Sequence, residues 1–120
     1  MSDIRDFTDL IIWQKAIDLG KMVYELTRDF PSDERFGLTA QVRKAALSVS
    51  SNVAEGHARQ GKEFAYFLSI ARGSTAETES QMLFAVAIGY RKLEEIAQLR
   101  NLASEIHRMA SALATKLASL

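Results

Sequence analysis

Apolar residues recur along the chain at steps of three and four, the spacing that lines one side of a helix. Ile12, Ala16, Leu19, Val23, Leu26 and Phe30 form the first such stripe, and Trp13, Ile17, Gly20 and Tyr24 widen it. Gln14, Asp18, Lys21, Glu25 and Arg28 hold the opposite side. This pattern predicts a helix over about residues 8–28. Pro31 ends it, because proline pushes the residue before it out of helical geometry.

A loop from Pro31 to Gly37 follows, and a second helix is predicted over about 38–58, with Leu38, Val42, Ala45, Val49 and Val53 inward. Ala40, Ala45, Ala46, Ser48, Ser50, Ser51, Ala54 and Gly56 give this helix unusually small side chains, which let a neighbour approach closely. Gly56 and Gly61 mark the boundary with a third helix over about 62–88. Phe64, Phe67, Leu68 and Ala71 open its apolar side and Met82, Leu83, Phe84, Val86 and Ile88 close it. A fourth helix is predicted over about 93–118, with Leu99, Leu102, Ile106, Met109, Leu113, Leu117 and Leu120 at near-heptad spacing. Four long helices with short links predict an all-α fold, an up-down-up-down four-helix bundle forming one domain over residues 1–120.

Composition narrows the chemistry. The 120 residues contain no Cys, which removes disulfides, thiolate zinc sites and a cysteine nucleophile. The 15 basic residues balance 15 acidic ones, so bulk charge alone draws in no polyanion. The N-terminus carries acids where a signal peptide has a basic region, and the longest uncharged run, Ser80 to Tyr90, is far short of the ~20 residues of a membrane span. A soluble, cytoplasmic protein with no membrane association is expected.

No motif for catalysis stands out. Neither His57 nor His107 lies three residues after a Glu, so the Glu-x-x-His pairs of a di-iron bundle are absent and no metal site is predicted. Gly56, Gly61 and Lys62 have the spacing of a phosphate loop, but the segment follows a helix and Glu63 stands where the hydroxyl residue belongs. No serine occupies a nucleophile elbow. The expectation is a protein that is not an enzyme, with no catalytic residues and no cofactor.

Two groups of polar residues remain as candidates. Gln41, Ser48, Asn52 and Glu55 share one stripe of the second helix, and Arg72, Ser74, Thr75, Glu77 and Glu79 interrupt the apolar run of the third. Buried charges persist when paired. The arrangement predicts a partly buried network of Gln41, Asn52, Glu55, Arg72 and Glu77, with Arg72 opposite a carboxylate. Its structural role would be to lock helix register or subunit packing, and its functional alternative is a polar ligand pocket. The second group is basic. Arg43 and Lys44 have no acid within eight residues on either side, and Arg59 and Lys62 flank the next turn. These four are the candidate phosphate contacts, against the alternative of a solvated mixed-charge surface. The wide stripe of the first helix and the many-sided apolar run from Met82 to Ile88 exceed what one core needs, so an interface is expected.

Several stretches also carry a resemblance. They are Phe7-Thr8-Asp9-Leu10-Ile11-Ile12-Trp13-Gln14-Lys15-Ala16, Phe30-Pro31 with Glu34, and Phe36-Gly37-Leu38-Thr39. Gln41-Val42-Arg43-Lys44-Ala45-Ala46 follows, then Ser48 and Asn52-Val53-Ala54-Glu55-Gly56. Glu63-Phe64, Phe67-Leu68, Ile70-Ala71-Arg72-Gly73-Ser74, Glu77 and Gly89-Tyr90 complete the set. The Asn-x-Ala-Glu-Gly and Ala-Arg-Gly-Ser elements are specific in combination. The chain resembles the four-helix bundle family first noticed in intervening sequences of 23S ribosomal RNA genes. That family includes the accessory variability determinant of diversity-generating retroelements. The resemblance implies a cytosolic, non-enzymatic bundle assembled as a homopentameric ring, with a role in binding RNA or DNA. In the retroelement branch, which is strongly basic, the partner is a reverse transcriptase. Where the family tends to carry two basic residues after Gln41-x, this chain keeps Arg43 and Lys44. The alternative is a scaffold that binds a protein partner and has no affinity for nucleic acid.

Overall fold

The computed structural model describes residues 4–119, so the first three residues and Leu120, the last position of the fourth stripe, lie outside it. Among the described residues the fold is all-α with no strand. Its long helices are α1 (Ile11–Thr27), α2 (Leu38–Arg59), α3 (Gly61–Ala87) and α4 (Ala97–Ala118). Helix α1 packs against α2 and α4, α2 along α3, and α3 along α4. The enclosed core holds Ile12, Leu19, Val23, Val42, Val49, Val53, Leu68, Met82, Leu99 and Ile106. These are residues of the inward stripes read from the sequence.

Two of the four helices start later than periodicity predicts. A 3-10 turn at Phe7–Asp9, capped by the Asp6 carboxylate, precedes α1. The extended backbone of Leu10 (φ −74°, ψ 125°) separates the two, so α1 begins at Ile11 and not near residue 8. Another 3-10 turn, Leu93–Ile96, occupies the predicted first turn of the fourth helix, and α4 begins at Ala97. Periodicity cannot separate a 3-10 turn from an α turn of the same side chains.

The α2–α3 corner is a single residue. Gln60 sits at φ 67° and Gly61 at φ 58°, the left-handed region where glycine carries no side-chain penalty. At this corner a Cβ on Gly56 would lie 2.8 Å from the Phe64 ring and 2.9 Å from the Phe67 Cβ. The helices meet there because residue 56 has no side chain. Helix α3 ends in a Schellman motif: Gly89, at φ 88°, donates to the Val86 carbonyl, and Tyr90 N–H reaches back to Ala85.

At the far end a polar clasp gathers the chain. The Glu34 carboxylate accepts the Tyr90 hydroxyl at 2.7 Å and the Leu38 N–H, the first of α2, at 3.1 Å. Arg91 donates to the Leu26 carbonyl at 2.8 Å and pairs with Asp29 and Glu95. Phe30 packs on Tyr90 with ring centroids 5.2 Å apart. The buried hydroxyls are satisfied locally, with Thr27, Thr75 and Thr78 each donating to the carbonyl four residues earlier.

Two predictions follow from this packing. Gly56→Ala should destabilise by about 1–3 kcal/mol, because overpacking outweighs the gain in helix propensity. Urea unfolding checks it, and a rise in midpoint would contradict the close approach. The second concerns pH. The Tyr90 hydroxyl, and after it the Leu38 N–H, holds the Glu34 carboxyl below its ordinary value. A depressed folded value contributes stability above the unfolded value that is lost as pH falls through the folded one. Tyr90→Phe should therefore destabilise at neutral pH, and its deficit against the natural protein should shrink on acidification through the carboxylate range. Unfolding midpoints at both pH values measure that difference.

Candidate nucleic-acid interface

The four candidate cations do not share one place. Arg43 and Lys44 lie in the first half of α2 and Arg59 at its last residue, sixteen positions on or about 24 Å along the axis. Arg59 is occupied. It pairs with Glu55 at 2.9 Å and Glu63 at 3.0 Å, and its guanidinium lies 5.1 Å from the Phe67 ring centre. The hydrogen bonds to Glu55 and then Glu63 raise its pKa further. Lys62 is exposed beside this cluster. The α2–α3 corner thus carries its own countercharge.

Arg43 has a different setting. Its Nε donates to the Thr27 hydroxyl at 2.9 Å, and its guanidinium lies over the Tyr24 ring at 4.3 Å. Both partners come from the last turns of α1, so Arg43 bridges α1 and α2 through side chains. Its Nη groups make no hydrogen bond or ion pair among the described residues. Lys44 is exposed next to it. Around them runs a groove between α1 and α2. One hollow of about 500 Å³ is lined by residues including Tyr24, Arg35, Phe36, Arg43, Lys44 and Leu47. A second, of about 260 Å³, continues along Ile17, Gly20, Lys21, Tyr24, Ala46 and Leu47. None of these lining residues is acidic, and none of Lys21, Arg35, Arg43 and Lys44 joins an ion pair among the described residues. Its floor is apolar yet open: Leu47 is 62 % exposed, Tyr24 50 % and Phe36 88 %. The Arg35 guanidinium sits 5.3 Å from the Phe36 ring centre.

Lys21, Arg35 and Phe36 were not among the candidate contacts, and Tyr24 stood out only within the wide apolar stripe of the first helix. Lys21 reads as part of the polar side of the first helix and Phe36 as part of a polar loop. The available signal was the run of cations without a neighbouring acid, which marks Arg43 and Lys44 but not residues that join them only in the fold.

A larger groove of about 750 Å³ lies between α3 and α4. Its lining is of mixed charge, with Glu79 paired to Arg100 at 2.9 Å and Glu94, His107 and Arg108 nearby. His57, the other histidine, packs edge-on against Phe64 at 5.9 Å.

The proposed polar network is drawn together only at its centre. Asn52 donates to the Ser48 carbonyl at 2.8 Å and hydroxyl at 2.9 Å, and Ser48 bonds the Ser74 hydroxyl of α3 at 2.8 Å. Gln41, Glu55 and Glu77 are exposed, and Glu55 turns to Arg59. Arg72 meets no carboxylate among the described residues; its Nε is buried without a hydrogen-bond partner. The i,i+4 geometry gives Glu55 a nearer cation on its own helix.

Comparison with known proteins adds three findings. The model of the family described as 23S rRNA-intervening sequence protein matches residues 8–112. No curated protein matches the chain. A crystal structure from Bacteroides thetaiotaomicron, of a protein with unknown function from the S23 ribosomal protein family, superposes with a TM-score of 0.76. The two are 18 % identical, covering 87 % of this chain and 98 % of that one. At that identity the likeness is one of fold.

The hydroxyl bridge between α2 and α3 can be tested directly. Ser74→Ala should cost about 1 kcal/mol, the usual net worth of such a bond. Gln41→Ala and Glu77→Ala should stay within about 0.5 kcal/mol of the natural protein, as exposed substitutions do. A loss at Gln41 or Glu77 as large as that at Ser74 would restore the wider network.

Proposed function

The chain belongs to the 23S rRNA-intervening sequence protein family, and we propose that it acts as a non-enzymatic, cytoplasmic, homo-oligomeric bundle that binds RNA or DNA through the α1–α2 groove. The observation that carries this reading is a groove lined by four cations and no acid. A chain of net charge zero keeps Lys21, Arg35, Arg43 and Lys44 in one groove with no acid among its lining residues. Elsewhere Lys15, Arg59, Arg91 and Arg100 each sit against a carboxylate. Neutral bulk charge is then no obstacle, because a phosphate chain in the groove meets uncompensated cations. Arg59 contributes less than its position suggests, and the Arg43–Lys44 end is the centre of the interface.

The helices are read as up-down-up-down. The clasp supports this: the end of α1, the start of α2 and the segment after α3 meet at Glu34, Tyr90 and Arg91. The assembly is read as a homopentameric ring, from the family resemblance. The exposed Tyr66 and Phe84 of α3 and Ile88 just after it give it apolar surface to bury. A ring repeats the groove once per subunit and so multiplies a modest patch. A scaffold for a protein partner is the second reading, favoured by the open apolar floor at Ile17 and Leu47.

Binding should weaken as salt rises, with each phosphate contact adding roughly 0.7–0.9 to the slope of log affinity against log salt. Lys21→Glu with Lys44→Glu should lower affinity for RNA and DNA and reduce that slope by about two. Neither side chain makes an ion pair among the described residues, so the fold should be unchanged by circular dichroism. Equal binding by the natural protein and the double variant would remove the groove from this role. Absence of binding at low salt would favour the protein scaffold.

A further inference from the structure

We propose that the α1–α2 groove selects unpaired nucleotides, stacking bases on Phe36 and Tyr24 while Arg43 and Lys44 hold the phosphates. The inference rests on the reading that this groove binds nucleic acid and goes on to say which form. Phe36 lies in the turn before α2 and is 88 % exposed. Water strongly disfavours a ring so placed, and nothing in the core needs it. Tyr24 is half exposed on the adjacent wall of the same hollow.

Each ring comes with a guanidinium, Arg35 beside Phe36 at 5.3 Å and Arg43 over Tyr24 at 4.3 Å. Arginine over an aromatic face is held by cation–π attraction. Arg43 is also fixed by Thr27, so its remaining N–H groups are oriented before a ligand arrives. The hollow, about 500 Å³, falls in the roughly 300–1,000 Å³ range of small-molecule sites. Rings that carry a guanidinium on one face and remain half or more exposed suit a single strand, whose base faces are available for stacking. A duplex hides those faces and offers its backbone and groove edges, which would use the cations and leave the rings idle.

The test measures anisotropy of a short labelled single-stranded RNA, and of the same strand annealed to its complement, against the full chain at fixed low salt. The natural protein should bind the single strand about ten-fold more tightly than the duplex, the scale expected for one or two stacked bases. Phe36→Ala should lower single-strand affinity about ten-fold and leave duplex affinity and salt slope unchanged. Tyr24→Leu, which keeps apolar bulk and removes the ring, should act in the same direction. Lys44→Glu should weaken both ligands.

Equal affinity for strand and duplex would overturn the inference. So would loss of binding in Lys44→Glu with no effect of either ring variant; both results leave binding by charge standing. No binding of either RNA would overturn the underlying reading and this one with it. Phe36 is too exposed for its removal to unfold the chain, and circular dichroism checks this.

Discussion

The close approach of α2 to α3 constrains everything else in this fold. One residue, Gln60, links the two helices, so their ends must turn through a corner with no slack. Gly56 makes the corner sterically feasible, since Phe64 and Phe67 occupy the space a Cβ would need. Once the corner is fixed, the Ser48–Ser74 hydroxyl contact follows further along the same interface. Small side chains on α2 therefore serve geometry before they serve chemistry. Buried area per residue is low for alanine and serine. The larger residues of α1, α3 and α4 complete the core around them.

That arrangement has a consequence on the other side of α2. Tight packing on α3 spends the small residues, and the contact with α1 is left more open. Arg43 spans part of this gap by reaching Thr27 and Tyr24. Leu47 and Ile17 remain partly in water. The groove is thus a product of unequal packing, and its charge is a product of placement. Acids sit beside Arg59 at the α2–α3 corner and Arg100 on the α3–α4 surface, and are missing from the lining of the α1–α2 hollows. Zero net charge and a cationic groove are compatible because the balancing acids lie outside the groove lining.

Much of the fold was legible in the sequence. Four helices follow from steps of three and four, and the approach of α2 to a neighbour follows from its alanines, serines and Gly56. Leu10 was not legible as an extended break, because it is apolar and falls near the right phase for a helix. The site was less legible than the fold. Arg43 and Lys44 stand out because no acid is near them in the chain. Arg59 was a weaker candidate, with acids at its end of the bundle, and in the fold Glu63 reaches it across the α2–α3 corner. Arg72 was expected to meet a carboxylate, yet its Nε has no hydrogen-bond partner among the described residues, while Glu79 pairs with Arg100 and Glu55 with Arg59. Phe36 was read with its polar neighbours, since a single aromatic in a turn has no periodicity to mark it.

On the proposed reading, Arg43 joins fold and function in one side chain. Its bond to Thr27 and its contact with Tyr24 tie α1 to α2. The Thr27 hydroxyl itself donates to the Val23 carbonyl at 2.7 Å, so the acceptor that Arg43 uses is held in place by α1. A cation fixed in this way loses little side-chain entropy when an anion arrives, unlike a solvated lysine. The same fixation keeps its charge at the surface of the groove, because the guanidinium rests on a half-exposed ring and not in the core. Stability and the proposed recognition therefore draw on different edges of one planar group, and the turn before α2 brings Arg35 and Phe36 to extend the surface it begins.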